Sequence, residues 1–199
     1  MSSTKRVEAL VDGVFAIAMT LLAFGLKGSD IIGYSDNLKT FRGISDIWPY
    51  FLIYVLSFII LGYYWIEHHI QYDYIKSPSK SFLWINVFFL MFIALIPFST
   101  GVLGRYLGEQ FSIILYGVNI IIIGILSYFH WWYVNFRRLV IKGVTPVVIS
   151  TINKNILVAP ILGIISILIS FFSLWISLGI YILVPIHYIF LSRMNFFKK

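Results

Sequence analysis

The chain has 199 residues, 60% of them hydrophobic and 12% charged, with a mean hydropathy of +0.91, whereas an ordinary soluble domain is about 45–50% apolar and about 25% charged. That composition excludes a soluble globular domain and places the chain in a bilayer. The formal net charge of +7 falls in separate clusters between apolar segments, a mark of membrane topology rather than of nucleic-acid binding, and the absence of cysteine excludes disulfides, thiolate metal sites and thiol nucleophiles.

Six apolar segments, at 7–27, 46–69, 81–104, 109–134, 152–171 and 173–192, are long enough to cross the bilayer as helices, which takes roughly 20 residues each. Barrel strands would be half that length and would alternate apolar with polar residues. The expected fold is therefore an all-α membrane bundle of six helices forming one domain over residues 1–199.

The first segment is too long, and at Asp12 too acidic, for a cleaved leader, so it is read as a retained span. A carboxylate inside a span needs a partner or an aqueous cavity. Arg6 lies six residues before Asp12, on another helix face, so the expected partners are His68, His69 or Asn86 on the next two helices. An interhelical clamp accounts for Asp12 as readily as a role in transport does. Gly13, Ile17, Thr20 or Leu21, and Phe24 recur at three- and four-residue steps and form one stripe, beside a second formed by Asp12, Ala16, Thr20 and Ala23. Small residues suit close helix packing, and periodicity alone does not separate packing from a pore lining.

Between the first two spans, the loop at about 28–45 carries basic residues offset by Asp30, Asp36 and Asp46. Further on, SPSKS at 77–81 reads as a turn with a serine cap for the third helix. Pro97, Pro160 and Pro185 fall inside apolar segments and are expected to kink them. The six tryptophans, Trp48, Trp65, Trp84, Trp131, Trp132 and Trp175, lie near segment ends, where indoles favour the interface. His68, His69, His130 and His187 map to similar depth, yet there is no HExxH and Glu67 is the single carboxylate near them, so neither metal nor haem is expected. No GxSxG supports nucleophilic hydrolysis, and no enzyme activity is expected. The YGVN at 116–119 lies within a helix and lacks TVGYG, so a carbonyl-lined filter is not supported.

Orientation follows from the fifteen lysines and arginines. Lys5, Arg6, Lys76, Lys80, Arg137, Arg138, Lys142, Lys154, Arg193, Lys198 and Lys199 share one side, against Lys27, Lys39, Arg42 and Arg105 on the other. This puts both termini in the cytoplasm of a multi-pass cell-membrane protein.

RVEALVDG, from Arg6 to Gly13, resembles the RxxxFSDG signature that opens the first helix of the endolysosomal potassium channel family, transmembrane protein 175, and its prokaryotic homologues. Further similarities follow in order: Trp65 and His68 as WxxH, Asn86 followed by LIPF at 95–98, LYGVN at 115–119 and YILVP at 181–185. Leu10 and Val11 stand where the family has Phe and Ser, so the motif hydroxyl is missing, whereas Arg6, Asp12 and Gly13 match. The resemblance implies a homotetramer whose central pore is lined by the first helix, with potassium and other monovalent cations as permeant ions and no bound cofactor. It implies constriction positions at Ile17, Thr20 or Leu21, and Phe24, and a polar network of Arg6, Asp12, Gly13, His68 and Asn86. Phe24 replaces a more usual aliphatic residue.

An apolar ring supplies no substitute for hydration water, so an ion passes partly hydrated or meets a dewetting barrier. Selectivity is then expected to be modest. The competing reading is a proton-coupled secondary transporter using Asp12 and His68; the lack of an internal repeat between the two halves of the chain weighs against it. A membrane haem protein is a third reading, which an absorption spectrum without a Soret band would dispose of.

Overall fold

The computed structural model describes residues 3–25, 37–76 and 78–187, with residues 3–4 and 37–47 as backbone alone. Lys27, residues 28–36 of the expected outward loop and residues 188–199, with Arg193, Lys198 and Lys199, lie outside the described residues. Among the described residues seven helices run in order: α1 Ser3–Phe24, α2 Asn37–Asp73, α3 Lys80–Ala94, α4 Ile96–Arg105, α5 Gln110–Phe136, α6 Pro146–Ser170 and α7 Leu174–Ile180. A short helical stretch at 183–187 follows α7.

Among the described residues five spans are long and apolar enough to cross a membrane: Lys5–Phe24, Trp48–Asp73, Lys80–Arg105, Gln110–Phe136 and Pro146–Ser170. The sixth expected span is represented by the shorter apolar stretch Leu174–His187, which at about 1.5 Å per residue reaches about two thirds of the hydrocarbon thickness.

Several boundaries differ from the hydropathy reading. Residues 37–45, expected as loop, are the first turns of α2, because hydropathy marks where a helix enters lipid rather than where it begins. The third segment is two helices meeting at Leu95, whose N–H bonds to Phe92 O at 3.2 Å. Pro97 sits in the first turn of α4, where its missing N–H removes no helical bond. Pro160, by contrast, lies inside an uninterrupted α6. That helix starts six residues earlier than expected, capped by Thr145 Oγ1, which accepts from Val148 N at 3.4 Å. Ser79 caps α3 in the same way, accepting from Phe82 N at 3.2 Å.

The helices run up and down. The end of the bundle where α1 begins, α2 finishes and α3 starts is called the near end, and the other the far end. α5 is central and packs on α3, α4 and, most extensively, α6; α7 packs on α6 and α5; α1 lies at the edge, against α2, α3 and α4. The close approach of α5 and α6 depends on Gly124, where an added Cβ would stand 2.6 Å from the Pro160 ring. Such small-residue seams let backbones approach in lipid, where no hydrophobic force drives helices together. At the near end, the α2–α3 and α5–α6 loops join in an antiparallel bridge between Ile75 and Val140, with Lys76 N to Leu139 O at 2.8 Å and Ile141 N to Tyr74 O at 2.9 Å.

Candidate functional site

α1 is two-faced. Val7, Val11, Phe15, Ala18 and Leu22, at steps of four, four, three and four, are buried against the neighbouring helices. The opposite face is open: Gly13, Ala16, Ile17, Thr20, Leu21 and Phe24 are all exposed, with Ile17 at 60% and Phe24 at 81%. An added Cβ on Gly13 meets nothing within 4 Å, so packing within one chain does not require glycine there. The stripe expected from spacing therefore coincides with the uncovered face. Thr20 Oγ1 donates to Ile17 O at 2.8 Å, turning its proton back into its own helix.

Polar side chains fix the buried face at the near end. Asp12 accepts from Trp65 Nε1 at 2.9 Å through Oδ1. Its partner on α2 is thus the indole, where His68, His69 or Asn86 was expected, and Trp65 is a hydrogen-bonded helix contact as well as an aromatic near a span end. His69 packs its ring against Trp65, centroids 5.5 Å apart. His68 points inward and its Nε2 donates to Asn86 Oδ1 at 2.9 Å, so Asp12 and His68 hold separate partners rather than each other. Arg6 is exposed. No hydrogen bond or ion pair joins it to another described residue.

Sequence reasoning missed two further networks. His130 Nδ1 donates to Gln71 Oε1 at 2.9 Å, and Gln71 Nε2 donates to Ser127 Oγ at 3.1 Å. His68 stacks on His130 with centroids 5.2 Å apart. The available signal was spacing: His68 and Gln71, like Ser127 and His130, lie three residues apart and so on one face. Nearer the far end, Thr100 Oγ1 donates to Ser57 Oγ at 2.9 Å, and Ser57 shares a hydrogen bond with Tyr116 OH at 3.1 Å. Asn119 Nδ2 reaches Ser99 Oγ at 3.2 Å. These bonds tie polar residues of α2 and α5 to Ser99 and Thr100, in the first turns of the helix that follows the break at Leu95. The YGVN of 116–119 belongs to this interior: an added Cβ on Gly117 would stand 2.8 Å from Ile167. Glu67 is 1% exposed; its Oε1 accepts from Asn155 Nδ2 at 3.5 Å. Among the described residues no three His, Cys, Asp or Glu side chains converge as metal ligands.

Comparison with known proteins agrees with this architecture. The family model described as endosomal/lysosomal potassium channel TMEM175 matches residues 6–97, which hold α1, α2, α3 and the Leu95 break. A protein named potassium channel B446_29190, from Streptomyces collinus, is 30% identical over 67% of this chain and 65% of its own length, just under two thirds. One named potassium channel Cha6605_3372, from Chamaesiphon minutus, is 27% identical over 94% of each chain. A crystal structure described as a lysosomal potassium-selective channel TMEM175 homologue from Chamaesiphon minutus superposes with a TM-score of 0.79 at 26% identity, covering 98% of this chain and all of that one.

Fold and relatives together define a polytopic α-helical membrane protein, similar along nearly its whole length to proteins named as ion channels rather than enzymes. Its similarity to the TMEM175 family runs through residues 6–97 in the family model and along nearly the whole chain in the Chamaesiphon structure.

Proposed function

We propose that the protein is a potassium-permeable cation channel of the cell membrane, a homotetramer in which the open face of α1 from each copy lines a central pore. The observation that carries this reading is the two-faced α1: Phe15 is 1% exposed while Ile17, two residues on, is 60% exposed. An apolar face with an exposed glycine and threonine is an unusual surface to present to acyl chains, and it suits close approach of like helices around an axis. The names of the bacterial relatives support potassium as the permeant ion, and Trp65 holds α1 from behind through Asp12 while the His68–Asn86 bond joins α2 to α3.

In this pore Ile17, Thr20 or Leu21, and Phe24 form successive layers without a carbonyl filter, and discrimination comes from the cost of removing water. Potassium sheds water more easily than sodium because its larger radius binds water less tightly, so it passes an apolar ring at the lower cost. The residues 173–192 complete a sixth crossing, leaving both termini in the cytoplasm.

Reconstituted protein is expected to carry potassium flux into liposomes, and Ile17→Asn to hydrate the constriction and raise sodium flux relative to potassium. A particle mass of four chains in detergent is the companion result. Absence of flux from well-folded protein, or a stable monomer, would overturn the proposal; saturable flux that moves only with a pH gradient would instead favour a transporter built on Asp12 and His68.

A further inference from the structure

At the far end, a half-open cleft of about 620 Å³ lies between the end of α1, the outer part of α2 and α4, and its lining includes Phe24, Tyr50, Thr100, Gly101, Arg105 and Tyr106. The two glycines of α4 differ in a telling way. An added Cβ on Gly104 would stand 3.1 Å from the Tyr50 ring, so close packing explains that residue; one on Gly101 meets nothing within 4 Å. A helical glycine is destabilising relative to alanine, and no contact with another described residue accounts for this one. Gly101 borders a space that no described residue fills.

The chemistry around that space is amphipathic. Arg105 is the last residue of a membrane-length span, which sets its guanidinium at headgroup depth. It lies 5.9 Å from the centroid of the Tyr106 ring, and no described carboxylate pairs with it. A guanidinium in this setting takes a phosphate through two parallel N–H donors. Tyr50 and Tyr106 offer the amphipathic rings that favour the interface.

We propose that this cleft binds one anionic phospholipid per chain, its phosphate on Arg105 and the start of an acyl chain over Gly101, between α1 and α4. The bound lipid leans on Phe24, so its occupancy changes conduction; that consequence, unlike the binding itself, rests on the channel reading above.

Native mass spectrometry of the full chain in detergent, with palmitoyl-oleoyl phosphatidylglycerol added, tests the site. Wild-type protein is expected to retain one phosphatidylglycerol per chain and phosphatidylcholine more weakly. Gly101→Phe fills the space and Arg105→Gln removes the phosphate donor; each is expected to weaken retention about tenfold, the first by steric exclusion and the second by the loss of a charge-assisted contact, with an unchanged melting temperature. Equal retention by wild type and a folded variant overturns the site, and displacement by millimolar inorganic phosphate reassigns it to a soluble anion. Potassium flux in vesicles with and without phosphatidylglycerol is the second measurement. A lipid-retaining protein that never conducts refutes the channel and leaves the site standing, whereas flux indifferent to phosphatidylglycerol removes the link through Phe24.

Discussion

Asn86 and Trp65 make hydrogen bonds of equal length to very different effect. His68 is buried and Asn86 Oδ1 is the acceptor for its Nε2, so Asn86→Leu orphans a buried donor, a loss of about 1–3 kcal/mol. Trp65 and Asp12 are both exposed, and hydrogen bonds between membrane helices average about 0.6 kcal/mol. In a thermal melt in detergent, Asn86→Leu is therefore expected to lower the midpoint distinctly more than Trp65→Phe; the reverse order would show that the indole, not the imidazole, anchors α2. A second contrast separates the glycines. Gly124→Ala forces a methyl to within 2.6 Å of a rigid proline ring, overpacking worth about 1–3 kcal/mol. Gly13→Ala adds a methyl in open space and is expected to leave the midpoint unchanged or raise it slightly, by at most about 1 kcal/mol from helix propensity.

The elements show what the sequence could and could not disclose. Apolar length located the five membrane-length spans of the described residues, because a bilayer admits helices and little else. The stripe on α1 was legible for the same reason: periodicity of 3.6 maps directly onto a face. Hydropathy did not reveal the break at Leu95, because Pro97 reads alike whether it kinks one helix or opens the next. Ser57, Thr100, Tyr116 and Asn119 pair there with one another or with Ser99, whose Oγ donates to Ile96 O, and they come from three separate helices, so no local pattern brings them together. The partner of Asp12 was missed for a different reason. Trp65 reads as an interface residue by type, and only the rotation of α2 turns its N–H toward α1. Ser57→Ala removes the acceptor for Thr100 and a partner of Tyr116. Amides of α4 are expected to exchange faster with deuterium, while those of α6 do not change; uniform acceleration would mean that the cluster does not act locally.

For the whole molecule, the open face of α1 makes a prediction that the absence of cysteine renders clean. Single cysteines introduced at Ala16, on the open face of α1, and at Ile164, exposed on α6, have no native thiol to compete with. Under mild oxidation in membranes, Ala16→Cys is expected to join copies covalently and Ile164→Cys is not. Cross-linking through Ile164 alone would place α6 at the assembly interface and α1 against lipid. The buried half of the bundle is less open to such rearrangement, because the Ile75–Val140 bridge holds two loops at the near end and the Gly124–Pro160 contact holds α5 to α6.

One hydroxyl carries a larger consequence. Thr20 sends its proton inward to Ile17 O, so the oxygen facing outward has only lone pairs to offer. In the proposed tetramer, four such oxygens around the axis would form a collar of partial negative charge that welcomes positive ions and gives chloride no donor to replace its hydration. Sorting by sign of charge would then need no formal charge in the proposed pore, the direction of a single O–H bond supplying it.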